Sequence, residues 1–241
     1  MVLPLNLAMT PSEIATASSL PERISWMSSH FCPYTEGITN IPEMLPEGSM
    51  LILADRENCT GHSRDLVAKQ LLDAVERLQC ESVLLDFQRP WNPESDAMVK
   101  GIAEALPCPV AVTESYAAGL NCPVFLPPCP LYISIEDYLQ PWGSREIWLE
   151  AALCQETITV TEEGTVFTPV YPVQYLGGGF YDNRLQCRYY TACSGDHITF
   201  TLFDTFETLQ KKLETAYTLG ARRAVGLYQE LAGFLTGTDS A

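Results

Sequence analysis

The chain has few basic residues, three histidines and no long apolar run, and each shortage excludes a class of function. Its 14 lysines and arginines stand against 30 aspartates and glutamates, for a formal net charge of −16. That charge repels phosphate backbones and anionic membranes, so neither nucleic acid nor membrane is an expected partner. No apolar run reaches the ~18 residues of a membrane-spanning helix. His30, His62 and His197 show no nucleophile–base spacing and GxSxG is absent, which excludes the usual serine and cysteine triads.

Metal and cofactor signatures are missing as well. The nine cysteines include no CxxC, and Cys59 with His62 is a two-ligand hint that has no second pair. No glycine-rich phosphate loop follows an early strand. We therefore expect no metal, no cofactor, and free thiols in a reducing compartment. A signal peptide begins with a positively charged segment, but no lysine or arginine precedes Arg23 in this sequence. A cytoplasmic location is therefore expected.

The most informative stretch is residues 80–90, CESVLLDFQRP. Its apolar run is typical of a strand buried on both faces, here over residues 82–88. Because successive side chains alternate, Leu84, Asp86 and Gln88 should share one face of that strand. Asn92 as N-cap and Pro93 at the first helical position then predict a helix over residues 93–106. One strand, one polar tip and one helix make a single βα unit.

The same unit recurs along the chain. Further helices are predicted over residues 63–79, with Ser63 as N-cap, and from Thr205 to Gly220. Residues 33–48 are expected to form a loop. Strands are predicted over residues 1–10, 23–28, 50–55, 82–88, 109–112, 131–135, 146–153, 199–202 and 224–228.

About eight strands alternating with helices in 241 residues predict an α/β fold. The expected architecture is a single TIM-type (β/α)8 barrel over residues 1–241, with some irregular strands. Alternating threonines and the glycine run 177–179 predict a small antiparallel insertion near residues 156–200. A doubly wound open sheet is the alternative, and the missing phosphate loop counts against it.

The tip of the strand at 82–88 and the last seventy residues together resemble the family 18 glycoside hydrolases, the chitinase-like barrels, and within them the spore-cortex-lytic branch, and the similarity spans roughly residues 50–235. The family motif D-x-x-D-x-D-x-E falls on Glu81, Leu84, Asp86 and Gln88. Residues 203–212 and the strand at 224–228 are similar to the family's C-terminal pattern. There Tyr228 stands where the family usually has the tryptophan beneath the sugar.

The resemblance also implies that the family's general acid is missing. In the family, that glutamate protonates the leaving oxygen, and the acetamido group of the substrate acts as nucleophile. Gln88 occupies the position, and an amide has no transferable proton at neutral pH. Leu84 replaces the second aspartate of the motif. The resemblance therefore implies that a carbohydrate or another small molecule binds at the C-terminal mouth of the barrel, with weak or absent hydrolysis.

Strand-end residues supply the candidate site. Asp86, Glu114 and Glu136 lie at the ends of predicted strands and are the candidate catalytic carboxylates, with Asp86 pairing with either glutamate. The aromatic candidates would stack on sugar rings, and the alternative for each is packing. Asp55 and Arg56 have a second interpretation as an ion pair that closes the mouth. The candidate ligand-binding residues are Gln88, Tyr228, Tyr116, Trp91, Asp55 and Arg56.

Three functions remain open at this point. The first is a carbohydrate-binding barrel in which the usual hydrolysis is disabled. The second is an active glycoside hydrolase that uses a rearranged carboxylate pair, Asp86 with Glu114 or Glu136. The third is a non-catalytic scaffold or partner-binding barrel, whose mouth would be plugged by residues 11–49 or 156–200.

Overall fold

The computed structural model describes residues 3–174 and 176–236. Parts of three predictions lie outside the described residues: positions 1 and 2 of the first strand, position 175 of the insertion, and positions 237–241 of the domain. The helices are α1 (Pro11–Thr16), α2 (Arg64–Leu78), α3 (Pro93–Ala105), α4 (Ile135–Leu139), α5 (Phe206–Thr218) and α6 (Tyr228–Thr236). The strands are β1 (Leu5–Met9), β2 (Ile24–Phe31), β3 (Ile38–Thr39), β4 (Met50–Ala54), β5 (Ser82–Asp86), β6 (Val110–Thr113), β7 (Val124–Leu126), β8 (Ile147–Glu150), β9 (Gln155–Thr161), β10 (Gly164–Pro169), β11 (Phe180–Asp182), β12 (Cys187–Ser194), β13 (His197–Phe203) and β14 (Ala221–Leu227).

Eight parallel strands close into a barrel. Hydrogen-bonded neighbours follow the order β1, β14, β8, β7, β6, β5, β4 and β2, and β2 pairs in parallel with β1 to complete the ring. The closing contact places Leu7 opposite Ile24. An open doubly wound sheet would leave two free edges, so this closure excludes it. The predicted TIM-type barrel is confirmed.

Two apolar layers hold the barrel together. Residues inside the ring pack on one another, and residues outside it pack under the helices, so the strands are buried on both faces. In β5, Leu84 belongs to the inner layer while Val83 and Leu85 belong to the outer one, as the alternation predicted. The inner layer consists of Ala8, Met50, Ile52, Leu84, Ala111, Phe125, Trp148 and Val225, with Met27 beside it.

The helices begin at the predicted caps. The side chains of Ser63, Asn92 and Thr205 each accept a hydrogen bond from a backbone amide three residues ahead. These bonds satisfy amide groups that a helix N-terminus otherwise leaves unpaired. Gly220 follows α5 with φ of +107°, in the left-handed region that favours glycine.

Two of the predicted barrel strands are wrong. Residues 131–135 form a turn and the start of α4, because the Ser134 hydroxyl accepts from the amide of Asp137 and caps a helix there. The barrel strand in that part of the chain is β7, whose three residues are too few to show a periodic pattern. Residues 199–202 belong to β13, which pairs antiparallel with β9 and β12 and so lies outside the barrel.

The antiparallel insertion is confirmed. Its five strands run in the order β10, β9, β13, β12 and β11. A small apolar cluster of Leu131, Cys187 and Leu202 lies beneath it. No helix in the described part of the chain has both the length and the apolar character needed to cross a membrane.

Candidate functional site

The C-terminal ends of the barrel strands enclose a cavity of about 620 Å³, called here the mouth cavity. Active sites of this fold lie at the C-terminal face, so the cavity is the place to look for one. The described residues of the segment 156–200 contribute nothing to its lining, and residues 11–49 contribute only Met27, so none of these described residues plugs it. Its lining consists of Ala8, Met27, Ile52, Ala54, Asp55, Arg56, Leu84, Asp86, Gln88, Arg89, Pro90, Phe125, Glu150, Val225, Gly226 and Leu227.

One wall of the mouth cavity is the tip of β5. Asp86 and Gln88 both point inward, and Gln88 Nε2 donates a hydrogen bond of 3.0 Å to Asp86 Oδ1. Burial raises the pKa of Asp86 above its usual value, and the charge of Asp55 adds to the rise. The hydrogen bond from Gln88 and the positive charge of Arg56 oppose it. Gln88 therefore stabilises the ionised form of the carboxylate beside it.

Asp55 supports this wall from behind. Its carboxylate accepts the amide of Gln88 at 2.9 Å on Oδ1 and the amide of Arg89 at 2.9 Å on Oδ2. The guanidinium of Arg89 in turn donates to the backbone oxygens of Asp55 and Arg56. Asp55 forms no ion pair with Arg56, because both of its oxygens are engaged by the β5 loop. Asp55 is thus a structural residue, while Arg56 is exposed at the rim.

The opposite wall carries Glu150, which the sequence analysis missed. β8 is separated from β5 by β6 and β7 in the ring, so its tip faces Asp86 across the mouth. Burial raises the pKa of Glu150 to about 7, and the charges of Asp86 and Glu230 contribute. Within the described chain its carboxyl group has no hydrogen-bond partner. The sequence did contain a signal that could have identified Glu150. The side-chain alternation applied to β5 also places Trp148 and Glu150 together on the inward face of β8.

Two further cavities open from the same place. One of about 230 Å³ is bounded by Asp86, Gln88, Glu114 and Glu150. Another of about 580 Å³, called here the insertion cavity, leads past Gln88, Glu150 and Glu230. Its outer side consists of insertion residues 169 and 171–173. Gln88 and Glu150 line all three cavities. A groove made of the three cavities would therefore pass both side chains as it crosses the barrel mouth.

The three predicted carboxylates are not all brought together. Glu114 is exposed in a short 3₁₀ helix after β6 and shares the 230 Å³ cavity with Asp86. Glu136 lies in the first turn of α4 and is exposed, and it lines none of these cavities. Glu136 was predicted to lie at a strand end because a strand was predicted over residues 131–135, and that strand does not form. The carboxylate that faces Asp86 is Glu150.

The predicted aromatic platforms lie away from the mouth cavity. Tyr116 is 1% exposed, packs edge-on against Phe87, and donates to the backbone oxygen of Arg89 at 3.3 Å. Tyr228 begins α6 and packs on the outer layer of the barrel. Trp91 is 55% exposed but does not line the mouth. The packing alternative holds for both tyrosines, since each contacts the outer apolar layer of the barrel.

The C-terminal motif of the resemblance has a structural role. Lys212 Nζ contacts Asp204 Oδ1 at 2.8 Å and Oδ2 at 3.1 Å, and both side chains are buried. The Asp204 carboxylate also accepts from the Thr208 hydroxyl and from the backbone amide of Cys154, four residues beyond Glu150. The pair therefore fixes the chain that follows the Glu150 wall.

The predicted Cys59–His62 hint does not extend into a cluster of metal ligands in the described part of the chain. Over residues 3–174 and 176–236, no three His, Cys, Asp or Glu side chains are grouped so as to hold a metal ion. All nine cysteines are free. His62 Nδ1 accepts from the backbone amide of Gly37, and Cys59 Sγ lies 3.2 Å from the Ser95 hydroxyl. The Cys59–His62 hint is thus explained by local packing.

Comparisons with solved structures agree on the architecture. A class V chitinase from Nicotiana tobaccum, solved in complex with NAG4, matches 94% of this chain and 93% of its own, at 11% identity and a TM-score of 0.60. The Bacillus cereus spore cortex-lytic enzyme SleL matches 93% of this chain and 70% of its own, at 12% identity and a TM-score of 0.55. The fold is that of the chitinase-like barrels.

The likeness to these enzymes is one of fold alone. The cell-surface chitinase ChiW from Paenibacillus matches 98% of this chain at 10% identity and a TM-score of 0.61, and the match spans 42% of ChiW. No protein-family model matches the chain, and no curated protein matches its sequence. Function must therefore be argued from this chain's own mouth cavity.

Proposed function

We propose that the protein binds a carbohydrate chain across the barrel mouth, and that the usual family 18 route of hydrolysis is disabled in it. The observation that carries the proposal is the mouth cavity of about 620 Å³, which has Gln88 on its wall and is not plugged by any segment within residues 3–174 and 176–236. Its volume lies within the range of small-molecule sites, and polar groups line an otherwise apolar floor. Among proteins of similar fold, a chitinase was solved with NAG4 bound.

The chemistry of Gln88 supports the second half of the proposal. The Gln88 side-chain amide donates a hydrogen bond from Nε2 to Asp86. The carbonyl oxygen of the same amide can then accept a hydrogen bond from a hydroxyl or amide group of a ligand. Gln88 has no proton to give a leaving oxygen. Loss of a general acid costs about 10²–10⁴-fold in rate, so hydrolysis by the usual route should be weak or absent.

Direct titration tests this function. Isothermal titration of the full chain with the tetramer of N-acetylglucosamine should give saturable one-site binding. Gln88→Ala should weaken it about 5- to 10-fold, which corresponds to one net hydrogen bond. Glu104→Gln, on the exposed side of α3, is the matched control and should bind as the unchanged chain does. Absence of saturable binding up to millimolar tetramer, or equal affinity in Gln88→Ala, would reject the proposal.

A further inference from the structure

We propose that Glu150 is the general acid of a rearranged pair with Asp86, so that the site can cleave a glycosidic bond without the family's usual glutamate. This proposal rests on the proposed carbohydrate binding and adds an activity to it. It also replaces the sequence-based pairs of Asp86 with Glu114 or Glu136.

Geometry is the first support. Asp86 and Glu150 stand on walls three strands apart in an eight-stranded ring, and the mouth cavity lies between them. Glycosidases place two carboxyl groups on either side of the scissile bond in this manner. Glu150 also lines the two neighbouring cavities, so a carbohydrate chain bound along them would lie next to the Glu150 carboxyl group.

The environments of the two carboxyl groups separate their roles. Asp86 receives a hydrogen bond from Gln88, and the charge of Arg56 also favours its ionised form. Glu150 has neither kind of support, and burial with the charges of Asp86 and Glu230 raises its pKa to about 7. Burial raises the pKa of both carboxyl groups, but only at Asp86 do a hydrogen bond and a positive charge oppose the rise, so the two pKa values are pushed apart and the groups divide into acid and base. Glu150 is then the proton donor and Asp86 the acceptor.

Other ionisable groups around Glu150 do not change this division. The Asp204–Lys212 pair shares a cavity of about 20 Å³ with it, but Lys212 is engaged by both oxygens of Asp204. Burial and nearby charges, including that of Glu150, raise the pKa of Tyr138 and Cys154, so both stay neutral at pH 7. The remaining charged groups at the three cavities are Asp55, Glu114, Glu156, Glu230, Arg56 and Arg89, and the acidic ones favour a protonated Glu150.

The reaction is a hydrolysis and needs only water. The Glu150 carboxyl group gives its proton to the glycosidic oxygen as the bond from C1 to that oxygen breaks, and the bonding electron pair stays with the oxygen. Water adds to C1 and passes one proton to Asp86. The products are a new reducing end and a free hydroxyl, and solvent carries the proton from Asp86 back to Glu150. In this scheme Gln88 is a positioning residue, since it acts by keeping Asp86 ionised.

The test measures new reducing ends from the N-acetylglucosamine tetramer, alongside tetramer binding. Glu150→Gln should lower the rate at least 10²-fold while changing affinity less than about threefold, because the amide keeps the shape but cannot donate a proton. Glu104→Gln should keep the full rate. The rate should fall as pH rises above about 7, where Glu150 ionises, and Gln88→Met should move the acidic limb of the profile upward because Asp86 loses its hydrogen bond.

Each result has a definite meaning. A tetramer that binds but is not cleaved, or a Glu150→Gln variant that cleaves as the unchanged chain does, overturns the inference and leaves the proposed binding intact. A tetramer that does not bind removes the proposed function itself. A thermal unfolding curve for Glu150→Gln that matches the unchanged chain excludes misfolding as the reason for a lost rate.

Discussion

The two walls of the barrel mouth are each held by one buried aspartate, yet they are held in different ways. Behind the β5 wall, Asp55 accepts two backbone amides from the loop that carries Gln88. Behind the β8 wall, Asp204 is paired with a buried lysine and accepts the amide of Cys154. The first wall depends on hydrogen bonds made by the backbone, and the second on a charge pair that has almost no contact with water.

This difference extends to the carboxyl groups in the cavity. Asp86 on the first wall has a hydrogen-bond donor beside it in Gln88. Glu150 on the second wall has none in the described chain and faces other acidic groups. The side-chain donor Gln88 favours the ionised form of Asp86, whereas a buried strand end without a donor favours the neutral form of Glu150. The predictions below test that contrast, from the largest expected effect to the smallest.

The β8 wall should be the more costly to break. Lys212→Met leaves Asp204 as an uncompensated buried charge, so the free energy of unfolding should fall by about 3–5 kcal/mol. Urea unfolding followed by circular dichroism measures it. The matched control is Lys211→Met, because the neighbouring Lys211 makes its contacts with Glu207 and the Tyr181 ring at the surface, so its loss should cost far less than that of Lys212. Equal losses in the two variants would contradict the buried pair.

The β5 wall should give a smaller loss. Asp55→Asn removes a charged acceptor from two amides, and hydrogen bonds to charged groups contribute about 1.5–3 kcal/mol. We expect the free energy of unfolding to fall by about that amount and tetramer binding to weaken as Gln88 shifts. Asp65→Asn, exposed at the start of α2, is the control. Unchanged stability in Asp55→Asn would show that the β5 loop holds without its carboxylate.

The smallest effect concerns pH. The pKa of Glu150 is raised to about 7 from the ordinary glutamate value of 4.5, so the folded chain holds a proton there that the unfolded chain releases. Stability should therefore decrease as pH rises through this interval, by on the order of 1–2 kcal/mol between pH 5.5 and 7.5. Urea unfolding at pH 5.5 and 7.5 should show a smaller decrease in Glu150→Gln than in the unchanged chain. Identical decreases in stability in the two proteins would show that a group other than Glu150 causes the pH dependence.

Local chemistry was enough for much of the fold. The caps at Ser63, Asn92 and Thr205 were predictable because the capping side chain acts on an amide three residues ahead. That Leu84, Asp86 and Gln88 share one face of β5 followed from alternation alone. The 131–135 error arose where two local signals compete, since an alternating apolar pattern overlaps the helix cap at Ser134.

The site was harder to predict because it depends on which strands face one another. Asp86 and Gln88 were found from one strand end, and Glu114 does reach a neighbouring cavity. Glu136 was assigned to a strand that does not exist, and Tyr116 and Tyr228 pack outward. Glu150 satisfied the same alternation rule as Asp86, but nothing local distinguishes it from the chain's many other acidic residues.

The sequence by itself determined the barrel, its main helix starts and the inward placement of Asp86 and Gln88, because these follow from side-chain alternation and from capping contacts within a few residues. Only the tertiary structure decided that Glu150 faces Asp86, that Asp55 supports the β5 loop, and that Lys212 neutralises Asp204. Each of these depends on burial and on contacts between residues distant in the chain, and the pKa of a carboxyl group is set by those surroundings.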